Sequence, residues 1–105
     1  GDRVLADFGT RLRTNTRSSD TLARVGGDEF AILMERIENR GDAEHHCREL
    51  IDAATTPIQV HGDWIPIAAS FGVALYPEDG IDAPALLRAA DAEMYRRKHA
   101  SRTRA

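Results

Sequence analysis

The chain has a single cysteine, Cys47, so no disulfide can close within it, and such sparing use of cysteine fits a reducing compartment. It has no excess of basic charge. Fourteen Lys and Arg stand against 17 Asp and Glu, for a formal net charge of -3, which argues against a general nucleic-acid or membrane-surface binder and leaves room only for a local basic patch. No apolar run approaches the length of a membrane span, and the first residues do not read as a secretion signal. Internal repeats and low-complexity linkers are also missing. What remains is an ordinary globular balance over 105 residues, 42% hydrophobic and 30% charged, enough for one small domain spanning residues 1–105. One further absence is local. No strand pattern precedes the first helical pattern, and Gly1-Asp2-Arg3 leads straight into it, as expected of a piece of a longer protein. At the other end, the polar stretch 99–105 is expected to fray.

Val4, Leu5, Phe8 and Leu12 recur at helical spacing and predict a helix over about residues 2–15, with Asp2 as its cap. Residues 14–20 are polar and turn-like. Strands are expected over 21–25 and 29–35, joined by Gly26-Gly27 as a hairpin. Ala43, Cys47, Leu50, Ile51 and Ala54 mark a second helix that stops before Pro57. Two more strands are expected at 58–61 and 64–76, with Gly62-Asp63 as a type II′ turn, Pro66 marking an edge or irregular start, and Ile67, Ala69, Phe71 and Val73 on one face. Leu86, Leu87, Ala90 and Met94 define a last helix over roughly 83–99, opened by Asp82. The order helix, hairpin, helix, hairpin, helix predicts an α+β fold, one mostly antiparallel sheet with helices packed on it.

The chemistry concentrates in the stretch RVGGDEFAILM, residues 24–34. Gly26 and Gly27 lack a Cβ, so they can adopt positive φ and let a ligand approach the backbone, and their N–H groups can hold anionic oxygens. Asp28 and Glu29 follow at once. Hard carboxylate oxygens suit Mg²⁺, which takes one or two carboxylates together with substrate phosphates, and a carboxylate beside a metal-bound phosphate can orient or deprotonate an attacking hydroxyl. The stretch therefore fits metal-assisted phosphoryl or nucleotidyl transfer. A solvated hairpin turn, with Gly and Asp in ordinary turn roles, fits the same residues.

Gly26-Gly27-Asp28-Glu29-Phe30 resembles the signature of the GGDEF family, the diguanylate cyclases. The likeness continues along the chain: Gly1-Asp2 with Val4-Leu5, Arg24 two residues before the glycines, Ser70-Phe71-Gly72-Val73-Ala74, Tyr76-Pro77 with Asp79-Gly80, and Leu87, Ala90, Asp91, Met94, Tyr95 and Lys98 on the last helix. The resemblance implies a fold like the palm of nucleotide polymerases and class III nucleotide cyclases (ferredoxin-like). It implies condensation of two GTP into cyclic di-GMP with release of pyrophosphate, Mg²⁺ or Mn²⁺ as cofactor, and a homodimer in which two sites face each other. It also implies a cytoplasmic setting, or the cytoplasmic part of a membrane-anchored parent, with a fused sensory or receiver domain. Carried over by position, Asp28 matches the metal ligand and proposed base for the 3′-hydroxyl, and Glu29 the second catalytic and metal-binding acid. Gly26 and Gly27 match the residues against which GTP lies. Asp2 matches an acid that contacts guanine, whose N1–H and 2-amino donors a carboxylate can accept. Lys98 and Arg102 match basic residues that reach the phosphates. The family usually has Gly-Arg-Asn where Ser101 and Thr103 flank Arg102 here. Helix-end cations that simply favour a C-terminus are the plain alternative for both.

Arg17-Ser18-Ser19-Asp20 is an R-x-x-D separated from Gly26 by five residues, Thr21 to Val25, the register of the family's inhibitory site for its own product. A guanidinium pairs with phosphate and guanine acceptors, and an aspartate takes guanine N–H donors. A polar turn before a strand is the competing reading. His45-His46-Cys47 is not read as a metal site, because consecutive helical residues diverge and no partners stand three or four residues away; exposed histidines and a buried thiol are expected. Trp64 is expected to pack its hairpin on the sheet, and Asp91 has a helix role open to either reading. The family's opening strand, with D-x-D-x-F-K, and the following N-D and G-H segments do not occur, so the fold is expected to lack its first strand. A diguanylate cyclase domain truncated at its N-terminus is thus expected, active in the parent protein and with little activity as a fragment. A non-catalytic module binding GTP or cyclic di-GMP through Arg17 and Asp20, or a dimerisation unit, are the rivals.

Overall fold

A computed structural model of the chain describes residues 2–103; the side chains of Asp2, Ala100, Ser101, Arg102 and Thr103 lie outside the described residues. The elements are helix α1 (Asp2–Asn15), strands β1 (Asp20–Arg24) and β2 (Phe30–Met34), helix α2 (Arg40–Ala54), strands β3 (Ile58–Val60) and β4 (Asp63–Ile65), and helix α3 (Ala83–Thr103). This is the expected α+β class with antiparallel strands. The chain forms two compact units, Gly1–Ala69 and Ser70–Ala105.

In the first unit the helical spacing of α1 and α2 and the alternation of β1 and β2 bury one shared face. Leu12, Leu50 and Ala54 form its centre, and Phe8, Leu22, Phe30, Ile32 and Met34 pack against them. Residues 30, 32 and 34 share one side of β2 because side chains alternate along a strand. Leu33, on the other side, is 59% exposed. β1 and β2 pair antiparallel from Asp20↔Met34 to Arg24↔Phe30. Gly9 allows the close approach of α1 to β2, since a Cβ there would stand 3.1 Å from the Phe30 ring. α2 opens with Asn39, whose Oδ1 accepts from Asp42 N–H at 2.8 Å. The Arg11 guanidinium of α1 meets the carbonyls at and just past the C-terminal end of α2, donating to Ala54 O and Thr56 O, and to Pro57 O at 3.3 Å.

Three expectations are corrected. The strand expected over 64–76 pairs only at Asp63–Ile65, and the described strands form two separate two-stranded ladders, β1–β2 and β3–β4, rather than one sheet. A strand needs a neighbour for its backbone groups. Instead, Val73 N–H donates to Glu93 Oε1 and Leu75 N–H to Asp79 Oδ2, so carboxylates take the place of ladder carbonyls. The turn between β3 and β4 is His61-Gly62, not Gly62-Asp63. Both residues have positive φ, 52° and 86°, the pattern of type I′. Trp64 is 67% exposed and does not pack its hairpin down.

In the second unit, Asp82 caps α3 as expected, its Oδ1 accepting from Ala85 N–H at 2.9 Å. α3 runs to Thr103, beyond the expected end near residue 99. Gly72 lies directly on this helix: a Cβ there would fall 1.9 Å from Ala90 O, so only glycine fits. Next to it, the Arg97 guanidinium sits 4.6 Å from the centre of the Phe71 ring.

Candidate functional site

The hairpin between β1 and β2 displays residues 25–29 as an exposed loop. It is closed at its base by Glu29 O, which accepts from Val25 N–H at 2.9 Å and Gly26 N–H at 3.3 Å. One of the two glycine N–H groups expected to meet an anion is therefore already used. Arg24 tightens the loop from inside. Its guanidinium donates to Gly27 O, and its Nε lies 3.3 Å from Gly26 O and 3.2 Å from Gly27 O. Sequence reasoning noted Arg24 only for its place before the glycines; its task of gripping their carbonyls needed the folded turn.

Neither Gly26 nor Gly27 adopts positive φ; among the described glycines only Gly62 does. Packing does not demand them either. A Cβ on Gly26 would meet Glu29 at an ordinary 3.5 Å, and one on Gly27 would meet nothing within 4 Å. What the pair leaves is open space over the loop. Asp28 and Glu29 are both exposed beside it. Two adjacent carboxylates suit the protein's share of a Mg²⁺ site. Among the described residues no three His, Cys, Asp or Glu side chains converge on one point.

Beneath the hairpin, α1, β1 and β2 enclose a shallow depression of about 170 Å³, lined by Leu5, Gly9 and Arg13 from the helix and Leu22, Arg24 and Phe30 from the strands. Most of the residues lining it are apolar; Arg13 and Arg24 also line it, the Arg24 guanidinium being turned to the glycine carbonyls. The sequence held a signal for it, since Leu5, Gly9 and Arg13 follow one another at intervals of four on one helix face.

The Arg17–Asp20 pair is assembled by the turn between α1 and β1. Asp20 Oδ2 accepts from Arg17 N–H at 3.0 Å and from Arg17 Nε at 3.4 Å, and Oδ1 from Arg17 Nη2 at 3.5 Å. A third residue joins them from α2: His46 Nε2 lies 3.0 Å from Asp20 Oδ2. The Asp20 carboxylate is wholly shielded, whereas the Arg17 side chain stays 40% exposed. Burial acts to raise the Asp20 pKa, but hydrogen bonds from His46 and from the Arg17 backbone and side chain outweigh it, and the carboxyl is held below its ordinary value of 3.8. Of the two histidines expected to be exposed, His45 is, and pairs with Glu49 at 3.4 Å; the His46 side chain is only 14% exposed. Its position was legible in the register, because residue 46 stands three after Ala43 and four before Leu50, both buried.

The remaining expected site residues belong to α1 and α3. Lys98 is exposed on α3, in the second unit. Asp2 and Arg102 are helical in α1 and α3, and their side chains lie outside the described residues. Asp91 is exposed on α3.

Fold and hairpin together define an α+β domain that presents an acidic, glycine-opened turn above a shallow depression lined mostly by apolar residues. The family model for the GGDEF domain, diguanylate cyclase, matches residues 1–104. The chain is 41% identical over 102 residues to the bifunctional diguanylate cyclase/cyclic di-GMP phosphodiesterase MucR of Pseudomonas aeruginosa, covering 97% of this chain and 15% of that protein. It is 38% identical over 103 residues to the diguanylate cyclase TpbB of the same species, covering 97% of this chain and 24% of that one. The crystal structure of the TpbB GGDEF domain matches with a TM-score of 0.84 at 37% identity, over 93% of this chain and 62% of that one. The chain thus belongs to the GGDEF family, and it spans less than a quarter of the length of these two curated relatives.

Proposed function

We propose that this chain is the catalytic domain of a diguanylate cyclase, which joins two GTP molecules into cyclic di-GMP and releases pyrophosphate. One observation carries the reading: two glycines that neither backbone conformation nor internal packing requires leave room directly beside two exposed carboxylates. A nucleotide's phosphates can lie against that backbone, as no side chain could allow. In this reading Asp28 and Glu29 hold a divalent cation, Mg²⁺ or Mn²⁺, which when bound supplies positive charge beside the phosphates and acidifies the attacking hydroxyl. Asp28 also takes up the 3′-hydroxyl proton. Arg24 holds the loop carbonyls so that the two acids keep their place. The depression under the hairpin receives the nucleotide, Asp2 recognises guanine, and Lys98 and Arg102 meet the phosphates. Joining two nucleotides needs a second site, so the working form is a homodimer. The setting is the cytoplasm, in a longer signalling protein that carries a sensory or receiver domain; among the described residues no helix is long and apolar enough to cross a membrane.

The Arg17–Asp20 pair is the site at which the product inhibits the enzyme. The exposed Arg17 guanidinium meets phosphate or guanine, and the shielded Asp20 orients it. The same pair supports a second reading, a binding module without turnover, and one relative at 33% identity is named as the cyclic di-GMP phosphodiesterase NbdA. The retained acids Asp28 and Glu29 favour the enzyme. The deciding experiment incubates the complete protein with GTP and Mg²⁺ and follows cyclic di-GMP. Turnover that falls by about 100-fold or more in Asp28→Ala, with the fold unchanged, supports the cyclase. Binding of cyclic di-GMP with no turnover in the wild-type protein selects the module instead.

A further inference from the structure

His46 has no part in the chemistry so far described, yet it is the third member of a closed cluster. Its Nε2 lies 3.0 Å from Asp20 Oδ2, and among the described residues this is the hydrogen bond it makes. A carboxylate only accepts, so Nε2 carries the proton in that bond whether the ring is neutral or charged. Protonating the other ring nitrogen therefore leaves the geometry alone and changes only the charge. With a neutral ring, Arg17 and Asp20 cancel. With a charged ring the cluster carries one net positive charge, next to a guanidinium that is 40% exposed. Other charged groups stand nearby on α2: Asp42 and Glu49, one turn away, are paired with Glu38 N–H and His45 rather than with His46. From α1, Arg11 is turned to the carbonyls at the far end of α2.

We propose that His46 is a positioning residue for the product site, holding Asp20 and through it Arg17, and that its protonation strengthens binding of the dianionic cyclic dinucleotide there. The proposal rests on the reading of Arg17–Asp20 as that site. The ligand's phosphodiesters stay ionised over the range tested, so a gain in affinity on acidification that is lost in His46→Gln reports the charge on this ring. Product feedback would then be stronger as the surroundings acidify. One added charge near a half-exposed site, screened by salt, corresponds to about 3- to 10-fold in affinity.

The test is calorimetric titration of the complete protein with cyclic di-GMP at pH 5.5, 6.5 and 7.5. Wild type should tighten about 3- to 10-fold from the highest to the lowest pH. His46→Gln keeps an N–H donor but cannot gain a charge; it should match wild type at pH 7.5 and show no tightening. His46→Leu, which removes the donor, should bind more weakly at every pH. A His46→Gln profile that tightens as wild type does overturns the proposal. Arg17→Ala separates the two levels. If it leaves binding intact, the product-site reading fails and His46 loses its role with it; if it abolishes binding while His46→Gln and His46→Leu both behave as wild type, only the role of His46 fails.

Discussion

Acidic side chains stand at both ends of β1 in this domain and are treated in opposite ways. At the start of β1, Asp20 is sealed from water and saturated with donors from Arg17 and His46. Past the end of the same strand, Asp28 and Glu29 are exposed in a loop whose own hydrogen bonds involve only the backbone and Arg24. An acid whose partners are internal contributes to the folded state and orients what it holds. An acid left in the open contributes little to folding and remains able to bind something else. The difference lies in the neighbours, since an aspartate stands at both places.

The comparison can be broken by exchanging the loss. The largest effect is expected from Asp28→Ala, which should remove about 100-fold or more of cyclic di-GMP synthesis while leaving the thermal melting curve in place. Asp20→Ala should do the reverse, lowering stability at neutral pH by about 1–3 kcal/mol in urea denaturation, because His46 and Arg17 lose their acceptor. The sign of its pH dependence follows from the depressed pKa. The Asp20 contribution is present above the ordinary aspartate value and is lost as pH falls through the lower folded value, so wild type and variant should converge in acid. If the gap persists unchanged below pH 3, the ionised carboxylate is not what stabilises. A smaller effect is expected from Arg24→Ala. Without its grip on Gly26 O and Gly27 O the loop loosens, and turnover should drop about 10-fold through misplacement of the acids. The smallest effect on the fold is expected from Gly27→Ala, which meets no neighbour and should leave melting unchanged while impairing nucleotide turnover. A clear loss of stability there would mean that the glycine serves the fold and not a ligand.

Much of this was legible beforehand, for reasons that differ by region. α1, β1, β2 and α2 follow from periodicity, because each buries one face against the others within a single unit. The loop with Gly26, Gly27, Asp28 and Glu29 stood out by residue type together with its likeness to the family signature, and Arg17 and Asp20 by the register of an R-x-x-D; their contact with each other needed the fold. The segment 66–75 was misread as strand. Its apolar alternation is genuine, with Val73 buried and Ile67 and Phe71 half-buried, but alternation reports two faces and says nothing of hydrogen-bond partners. Those partners turned out to be the carboxylates of Glu93 and Asp79. The His61-Gly62 turn slipped by one residue because loop length is set by which residues pair, here Val60 with Asp63.

Residue order alone determined most of the elements, the class of fold and the family, since periodicity, turn chemistry and motif register are all local properties of the chain. Tertiary structure decided what each charge does. It shielded Asp20 while leaving Asp28 open, drew His46 from α2 to a carboxylate 26 residues earlier, and set Arg24 against the glycine carbonyls. The physical reason is that burial and hydrogen-bond partnership depend on what comes from elsewhere in the chain, and contacts between distant residues have no signature in the spacing of near ones.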